Sequence, residues 1–508
     1  MLSEKDHQQI SEHGLTIDKV NEQIENFKKG FPPAILKKPA TEGDGILKLD
    51  KTERENAISA YEKQASTKEI VKFVPASGAA TRMFKKLFAF QADYDGTDAS
   101  YEQLLADQGS GTPFEFFKNL EKFAFYADLK AAFKSSGVAL EEAHLRRQFN
   151  DILDYFLSEK GLNYGNLPKG LLKFHHYGDH ARTPVEEHMV EGSQYALGAN
   201  RTVNIHFTVS PEHQEKFKEH VSRVQSIYEK EYNCNIHVTY SVQNPGTDTI
   251  AVDMKNEPFR LEDGTILFRP AGHGALLENL NAIDADIIFI KNIDNVVPDS
   301  LKEETINYKK VLAGVLLDRQ KKIFDLIEQL ENDPNDETVQ KARDLLKNEL
   351  GYESASDQLP AEEVLSLLHR PLRVCGMVQS DGDPGGGPFW VADEEGNISL
   401  QIVETAQIDL SKPDQDKVFH QATHFNPVDL VCSPRNYKGN KFDLMKYRDM
   451  STGFVTKKSK DGKDLKAQEL PGLWNGSMAY WNTIFVEVPL ITFNPVKQVN
   501  DLLKKEHQ

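Results

Sequence analysis

Cysteine is scarce. The 508-residue chain has three, Cys234, Cys375 and Cys432, odd in number and far apart. That argues against a disulfide framework and leaves no CxxC for a zinc or redox motif. Positive charge is also in deficit. There are 60 Lys and Arg against 78 Asp and Glu, for a formal net charge of −18. A broad nucleic-acid or anionic-membrane surface is therefore not expected, although one small anion could sit in a local basic pocket. No apolar run is long enough to span a bilayer, and the polar start MLSEKDHQQISEHG has no signal-peptide core. These absences give the expectation of a cytoplasmic protein without a nucleic-acid or membrane partner. Its oligomeric state stays open. The P-loop pattern GxxxxGK[ST] and the dinucleotide pattern GxGxxG are missing too. His175, His176, His180 and His188 are close in sequence but lack zinc-ligand spacing.

The pattern that is present alternates strands and helices. "EIVKFVPAS", "TVNIHFTVS", "NIHVTYSVQ" and "ADIIFIKNIDN" read as strands, and "PEHQEKFKEHVSRVQSIYEKEY" reads as a helix. In "RTPVEEHMVEGSQYA", Thr183 caps a helix, Pro184 opens it and Glu186 completes a capping box. The alternation predicts an α/β fold on a mostly parallel, Rossmann-like sheet, with ligands expected beyond the carboxyl ends of its strands. The expected organisation is a helical extension over 1–66 and an α/β core over 67–298, interrupted by a helical insertion at about 93–167. A second helical insertion over 299–370 and a β-rich part over 371–508 complete it.

Four segments can carry chemistry. In "VKFVPASGAATRMFKKL" an apolar strand runs into Ala76-Ser77-Gly78-Ala79-Ala80, then Thr81-Arg82 and an expected helix start near Thr81. Strand, small-residue turn and helix start would point backbone N–H groups at an anion, and Arg82 would add charge. A tight packing turn would also want small residues. In "RPAGHGALLENL", Gly272 and Gly274 flank His273 ahead of a helix, which suits close approach of a ligand or simply a βα turn. In "IIFIKNIDNVVPD", Asp294 follows an apolar strand, where a carboxylate can hold Mg²⁺ bound to phosphate or can close an Asx turn. Lys169 in "LPKGLL" could reach a phosphate.

Taken in order, these segments resemble the nucleotidyltransferases that make nucleotide sugars, in particular the UDP-sugar pyrophosphorylases, and the pattern fits an uncharacterised bacterial branch of that family. Pro75 to Arg82 stands where that family has its Gly-rich turn, and Pro168-Lys169 where it has Pro-Lys. Gln243 in "YSVQNP" stands at the base-reading glutamine, Pro270 to Gly274 at P-x-G-H/N-G, and Asp294-Asn295 at the strand end. Glu404 in "QIVETAQI" and Asn426 in "THFNPVDL" match the sugar side, and Phe493 to Lys497 matches F-x-P-x-K. Ser77 and Ala80 depart from the family, which has glycine there. So does "DGDPGGGPFW", Asp381 to Trp390, which has no counterpart.

The resemblance implies a nucleotide-diphospho-sugar transferase fold that joins an NTP to a sugar 1-phosphate and releases pyrophosphate. Arg82, Lys169 and Lys497 would be catalytic, and Asp294 would bind Mg²⁺. Ala76, Ser77, Gly78, Ala79, Gln243 and Gly272 would bind the nucleotide, and His273, Glu404 and Asn426 the sugar substrate, Glu404 and Asn426 through its hydroxyls. A glycosyltransferase of the same fold and a non-catalytic nucleotide-sugar-binding protein are the alternatives. The first is weakened because Asp284-Ala285-Asp286 precedes its strand.

Overall fold

The computed structural model describes residues 2–78, 80–356, 358–380 and 386–508. Ala79, and Asp381 to Gly385 of the Gly-rich loop, lie outside the described residues. The chain divides into two compact units, each discontinuous in sequence. The first comprises Met1–Val71, Val242–Ile290 and Lys309–Leu490; the second comprises Lys72–Ser241, Lys291–Tyr308 and Ile491–Gln508. Among the described residues no helix is long and apolar enough to cross a membrane.

The main strands are, in chain order, β1 (Gly45–Leu47), β2 (Ile70–Pro75), β3 (Thr202–Val209), β4 (Asn235–Val242), β5 (Ile287–Lys291), β6 (Leu372–Gln379), β7 (Gly387–Ala392), β8 (Ile398–Val403), β9 (Asp429–Ser433) and β10 (Asn482–Glu487). In the first unit the order is β1-β10-β6-β9-β5. Here β10 runs parallel to both β1 and β6, whereas β6 and β9 are antiparallel, so this α/β sheet is mixed. Every residue of β5 is buried, as its unbroken apolar run requires. A smaller antiparallel sheet pairs β7 with β8 and with Ile35–Pro39. The N-terminal extension thus contributes an edge strand as well as helices.

In the second unit the order is β2-β3-β4. The helix α1 (Pro184–Tyr195) packs with β3. Its start is the one expected: Thr183 accepts from the Glu186 N–H, Glu186 caps in return, and Pro184 occupies the first turn. The insertion folds as short helices around an aromatic core of Phe84, Phe116, Phe125 and Phe156. Val496, Val499 and Leu502 from the end of the chain are built into the same core. This packing holds two remote stretches, one near residue 82 and one near 497, on a common support.

His206 of β3 is buried between two hydroxyls on β4. Its Nδ1 lies 2.8 Å from Thr239 Oγ1 and its Nε2 2.7 Å from Ser241 Oγ. Burial pushes the imidazole down to about 4. Between pH 4 and 6.5 the unfolded chain binds a proton that the folded chain refuses. Stability from this residue therefore rises with pH across that window and is level above it. His206→Gln is expected to remove roughly 3 kcal/mol of that pH dependence, read as urea midpoints at acid and neutral pH. Equal slopes in the two proteins would show that His206 does not set it.

Candidate functional site

In the second unit, four chain segments meet. The Ala80 N–H donates to the Leu167 carbonyl at 3.3 Å, two residues before Lys169. The Val499 N–H donates to the Met83 carbonyl at 3.3 Å, which ties the Lys497 segment beside Arg82. The Val496 N–H donates to the Asp294 carbonyl at 3.1 Å, and the Asn494 N–H to Asn295 Oδ1 at 2.8 Å. Lys169 Nζ then reaches Asp294 Oδ2 at 2.8 Å and the Val496 carbonyl at 2.7 Å. Lys497 Nζ lies 3.9 Å from the same carboxylate oxygen. Lys497 is largely exposed, whereas Lys169 and Asp294 are mostly covered. Arg82 is exposed and makes no hydrogen bond or ion pair among the described residues. Two lysines thus share one carboxylate, and the chain carrying Arg82 is tied beside the Lys497 segment, in a protein of net charge −18.

The small-residue run divides into two kinds of position. Ala76 and Ala80 are buried, and the Ala76 N–H is spent on the Thr208 carbonyl at 2.9 Å. Ala76 is therefore a buried strand-end residue with no N–H free for a phosphate. Ser77 and Gly78 are exposed, and a Cβ built on Gly78 would meet nothing within 4 Å. Internal packing does not demand a glycine there. Ala79 lies outside the described residues. The helix also starts later than Thr81. A 3-10 turn spans Ala80–Arg82, and the helix Lys85–Asp93 begins after it with no side-chain cap. The turn thus presents an exposed Ser77 and Gly78 and the exposed Arg82, without a helix end immediately behind them.

Beneath this cluster lies a buried charge triad. Glu191 of α1 bonds Lys72 of β2 at 2.9 Å through Oε2 and Lys291 of β5 at 2.8 Å through Oε1, all three buried. Burial alone would raise the Glu191 carboxyl, but Lys291 and Lys72 outweigh it and hold the group well below the usual carboxylate range. The chain continues three residues from each lysine to Pro75 and Asp294, and the Ile293 N–H donates to the Pro75 carbonyl at 3.3 Å. His188, one turn before Glu191, contacts the Ile293 carbonyl through Nε2 at 3.3 Å.

In the first unit, a second cluster centres on Glu404. His273 Nδ1 accepts the Leu473 N–H at 2.9 Å, so the proton sits on Nε2, which donates to Glu404 Oε1 at 3.2 Å. Asn475 Nδ2 bonds the same oxygen. The His273 ring stacks on Trp474 with centroids 4.2 Å apart. Gly272 has φ +77°, a backbone shape that favours glycine, and a Cβ there would lie 2.8 Å from Glu469 Oε2. The Asn426 N–H donates to the Gly386 carbonyl at 2.9 Å, and a Cβ on Gly386 would come within 3.8 Å of Glu404 Cγ. Asn426 Nδ2 and Asn475 Oδ1 are buried and unpaired among the described residues: one spare donor and one spare acceptor. Gln243 is engaged elsewhere. Its amide donates to Thr247 Oγ1 at 3.3 Å and to Asp248 Oδ1 at 3.2 Å, which leaves only Oε1 for a ligand.

Sequence reasoning missed Trp474 and Asn475. The available signal was "LPGLWNG", where Pro-Gly and Asn-Gly bracket one of only three tryptophans. It also missed Lys72, Glu191 and Lys291, because a lysine inside a strand reads as a solvated residue. Asp284 and Asp286, weighed as a glycosyltransferase motif, both pair with Arg435, at 2.7 and 3.1 Å.

One family model, described as "Domain of unknown function (DUF4301)", matches residues 3–508. The chain belongs to that family. No curated protein matches this DUF4301 chain. Among solved structures, it is similar to the uridine diphosphate N-acetylglucosamine pyrophosphorylase of Trypanosoma brucei, with 12% identity, 95% of this chain and 72% of that one covered, and a TM-score of 0.47. It is also similar to UDP-glucose pyrophosphorylase of Leishmania major, with 13% identity, 99% and 79% covered, and a TM-score of 0.45. The inositol-1-phosphate CTP transferase of T. maritima matches at 10% identity over 66% of this DUF4301 chain and 83% of its own, with a TM-score of 0.28.

Proposed function

We propose that the protein is a nucleotidyltransferase that joins an NTP to a sugar 1-phosphate. A sugar-phosphate oxygen attacks the α-phosphorus, the bond from that phosphorus to the bridging β-phosphate oxygen breaks, and pyrophosphate leaves. The nucleophile is already an anion, so no general base is needed, and catalysis is positioning and charge stabilisation. The observation that supports this reading best is that Lys169 and Lys497, from remote segments, share Asp294, while a backbone bond ties the Lys497 segment next to Arg82 and its exposed turn.

Each residue then has a role. Arg82, with no partner among the described residues, holds the pyrophosphate as it leaves. Lys169, fixed by Asp294 and the Val496 carbonyl, and the exposed Lys497 neutralise the α-phosphate and the sugar phosphate. The residues fit a magnesium–phosphate complex through one carboxylate: Asp294 Oδ2 is shared with the lysines, while Oδ1 makes no hydrogen bond among the described residues. Mg²⁺, when bound, would neutralise and align the triphosphate. In the first unit, Glu404, Asn426 and Asn475 offer sugar hydroxyls acceptors and a donor, and His273 fixes Glu404 in place. Gln243 Oε1 and the Gly272 backbone are left for the base.

The direct test is release of pyrophosphate from each of the four NTPs with a panel of sugar 1-phosphates and Mg²⁺. Stabilisation by nucleotide sugars without any pyrophosphate would instead indicate a binding protein or a glycosyltransferase. A narrower test addresses the turn. Gly78→Leu puts a side chain into open space, so the melting temperature is expected to stay near normal while nucleotide-induced stabilisation disappears. Unchanged nucleotide stabilisation in this variant would remove the turn from the phosphate site.

A further inference from the structure

A separate cavity of about 390 Å³ opens in the first unit, and none of His273, Glu404, Asn426 and Asn475 lines it. Its walls include Arg370, Tyr352, Tyr480 and Trp481. The Arg370 guanidinium is partly buried, yet it makes no hydrogen bond or ion pair among the described residues. The Tyr480 ring lies 5.9 Å from it. Burial lowers the affinity of this guanidinium for its proton, and Tyr352, Tyr447 and Tyr480, rather than carboxylates, offset that. Burial also raises the phenols of Tyr352 and Tyr480, which stay protonated and able to donate. A cavity whose wall holds a cationic fork without a hydrogen-bonding partner among the described residues is built for an acceptor-rich group.

The same walls restrict the ligand further. Glu363, Asp393 and Glu395 also line the cavity, so a polyanion such as a nucleoside triphosphate would meet like charge there. Leu367, Leu400 and Ile402 supply apolar surface. We propose that this cavity binds a small organic monocarboxylate, with its carboxylate on Arg370 and a ring-sized apolar body along Leu367, Leu400 and Ile402. The site stands on its own residues and is independent of the nucleotidyltransferase reading.

The test uses the full chain and the series acetate, phenylacetate and indole-3-acetate, with 2-phenylethanol as the neutral counterpart and ATP as the polyanion. Affinity by calorimetry is expected to rise along the carboxylate series, while 2-phenylethanol binds at least about 10-fold more weakly than phenylacetate. ATP is expected not to compete with indole-3-acetate. Arg370→Met keeps the bulk and removes the charge, and should weaken the aromatic carboxylates about 10- to 100-fold. Ser366→Trp, at an exposed position on the cavity wall, should block them at an unchanged melting temperature. The proposal is overturned if no carboxylate binds, if ATP displaces indole-3-acetate, or if both variants bind the series as the parent does.

Discussion

Arg82→Ala is expected to lower turnover of an NTP and a sugar 1-phosphate by about 100-fold or more while leaving the melting temperature where it was. Both halves of that expectation follow from its surroundings. The side chain is exposed and has no hydrogen bond or ion pair among the described residues, so the folded protein loses no contact when it is removed. A guanidinium in such a place matters only to something that arrives carrying charge. Lys169→Ala would be a poorer test, because Lys169 answers the mostly buried Asp294 carboxylate at 2.8 Å, and its loss would disturb fold and chemistry together. Turnover of the Arg82→Ala protein equal to that of the parent would make Arg82 a surface arginine and take away the main support for phosphate handling.

Glu191→Gln is expected to produce the largest loss of stability, about 3–5 kcal/mol. The substitution keeps the shape and removes the charge that two buried ammonium groups share, at 2.9 and 2.8 Å. Lys72 and Lys291 would then both lose the carboxylate charge they share, although both remain buried. The combined replacement Glu191→Leu, Lys72→Met and Lys291→Met should recover much of the loss, since no charge is then left buried. Denaturant midpoints for the two proteins and the parent measure this. Because the Glu191 carboxyl is held below its ordinary value, its contribution is complete above the unfolded carboxylate range and falls away as the pH drops through and below that range. A Glu191→Gln protein as stable as its parent would show that the triad contributes nothing to the fold.

What could be read from the sequence was whatever local chemistry decides. The cap at Thr183 and Glu186 needs only neighbouring residues, and it formed as expected. The strand Ile287–Lys291 announced itself as a continuous apolar run and is buried throughout. The small-residue turn was visible as a turn, but the burial of Ala76 and Ala80 and the exposure of Ser77 and Gly78 were not. Whether Ala76 or Gly78 faces space depends on what the rest of the chain puts there. The same limit applies to Lys169: its neighbours in sequence say nothing of Asp294 or of the Val496 carbonyl, and both supply its geometry. The Glu404 cluster depends on Leu473 and Asn475, some seventy residues further along. No pattern within a short window links them.

The hydrogen bond from the Val499 N–H to the Met83 carbonyl, and the burial of Val496, Val499 and Leu502 among the phenylalanines of the helical insertion, have a consequence for the order of events during synthesis. The ribosome makes the Arg82 turn early and the Lys497 segment late. At ordinary elongation rates the two are separated by tens of seconds. Until the later segment emerges, the aromatic core of the second unit lacks part of its wall. The nascent chain therefore passes through an interval in which apolar surface of that core is exposed and Lys497 has not yet joined Lys169 at Asp294.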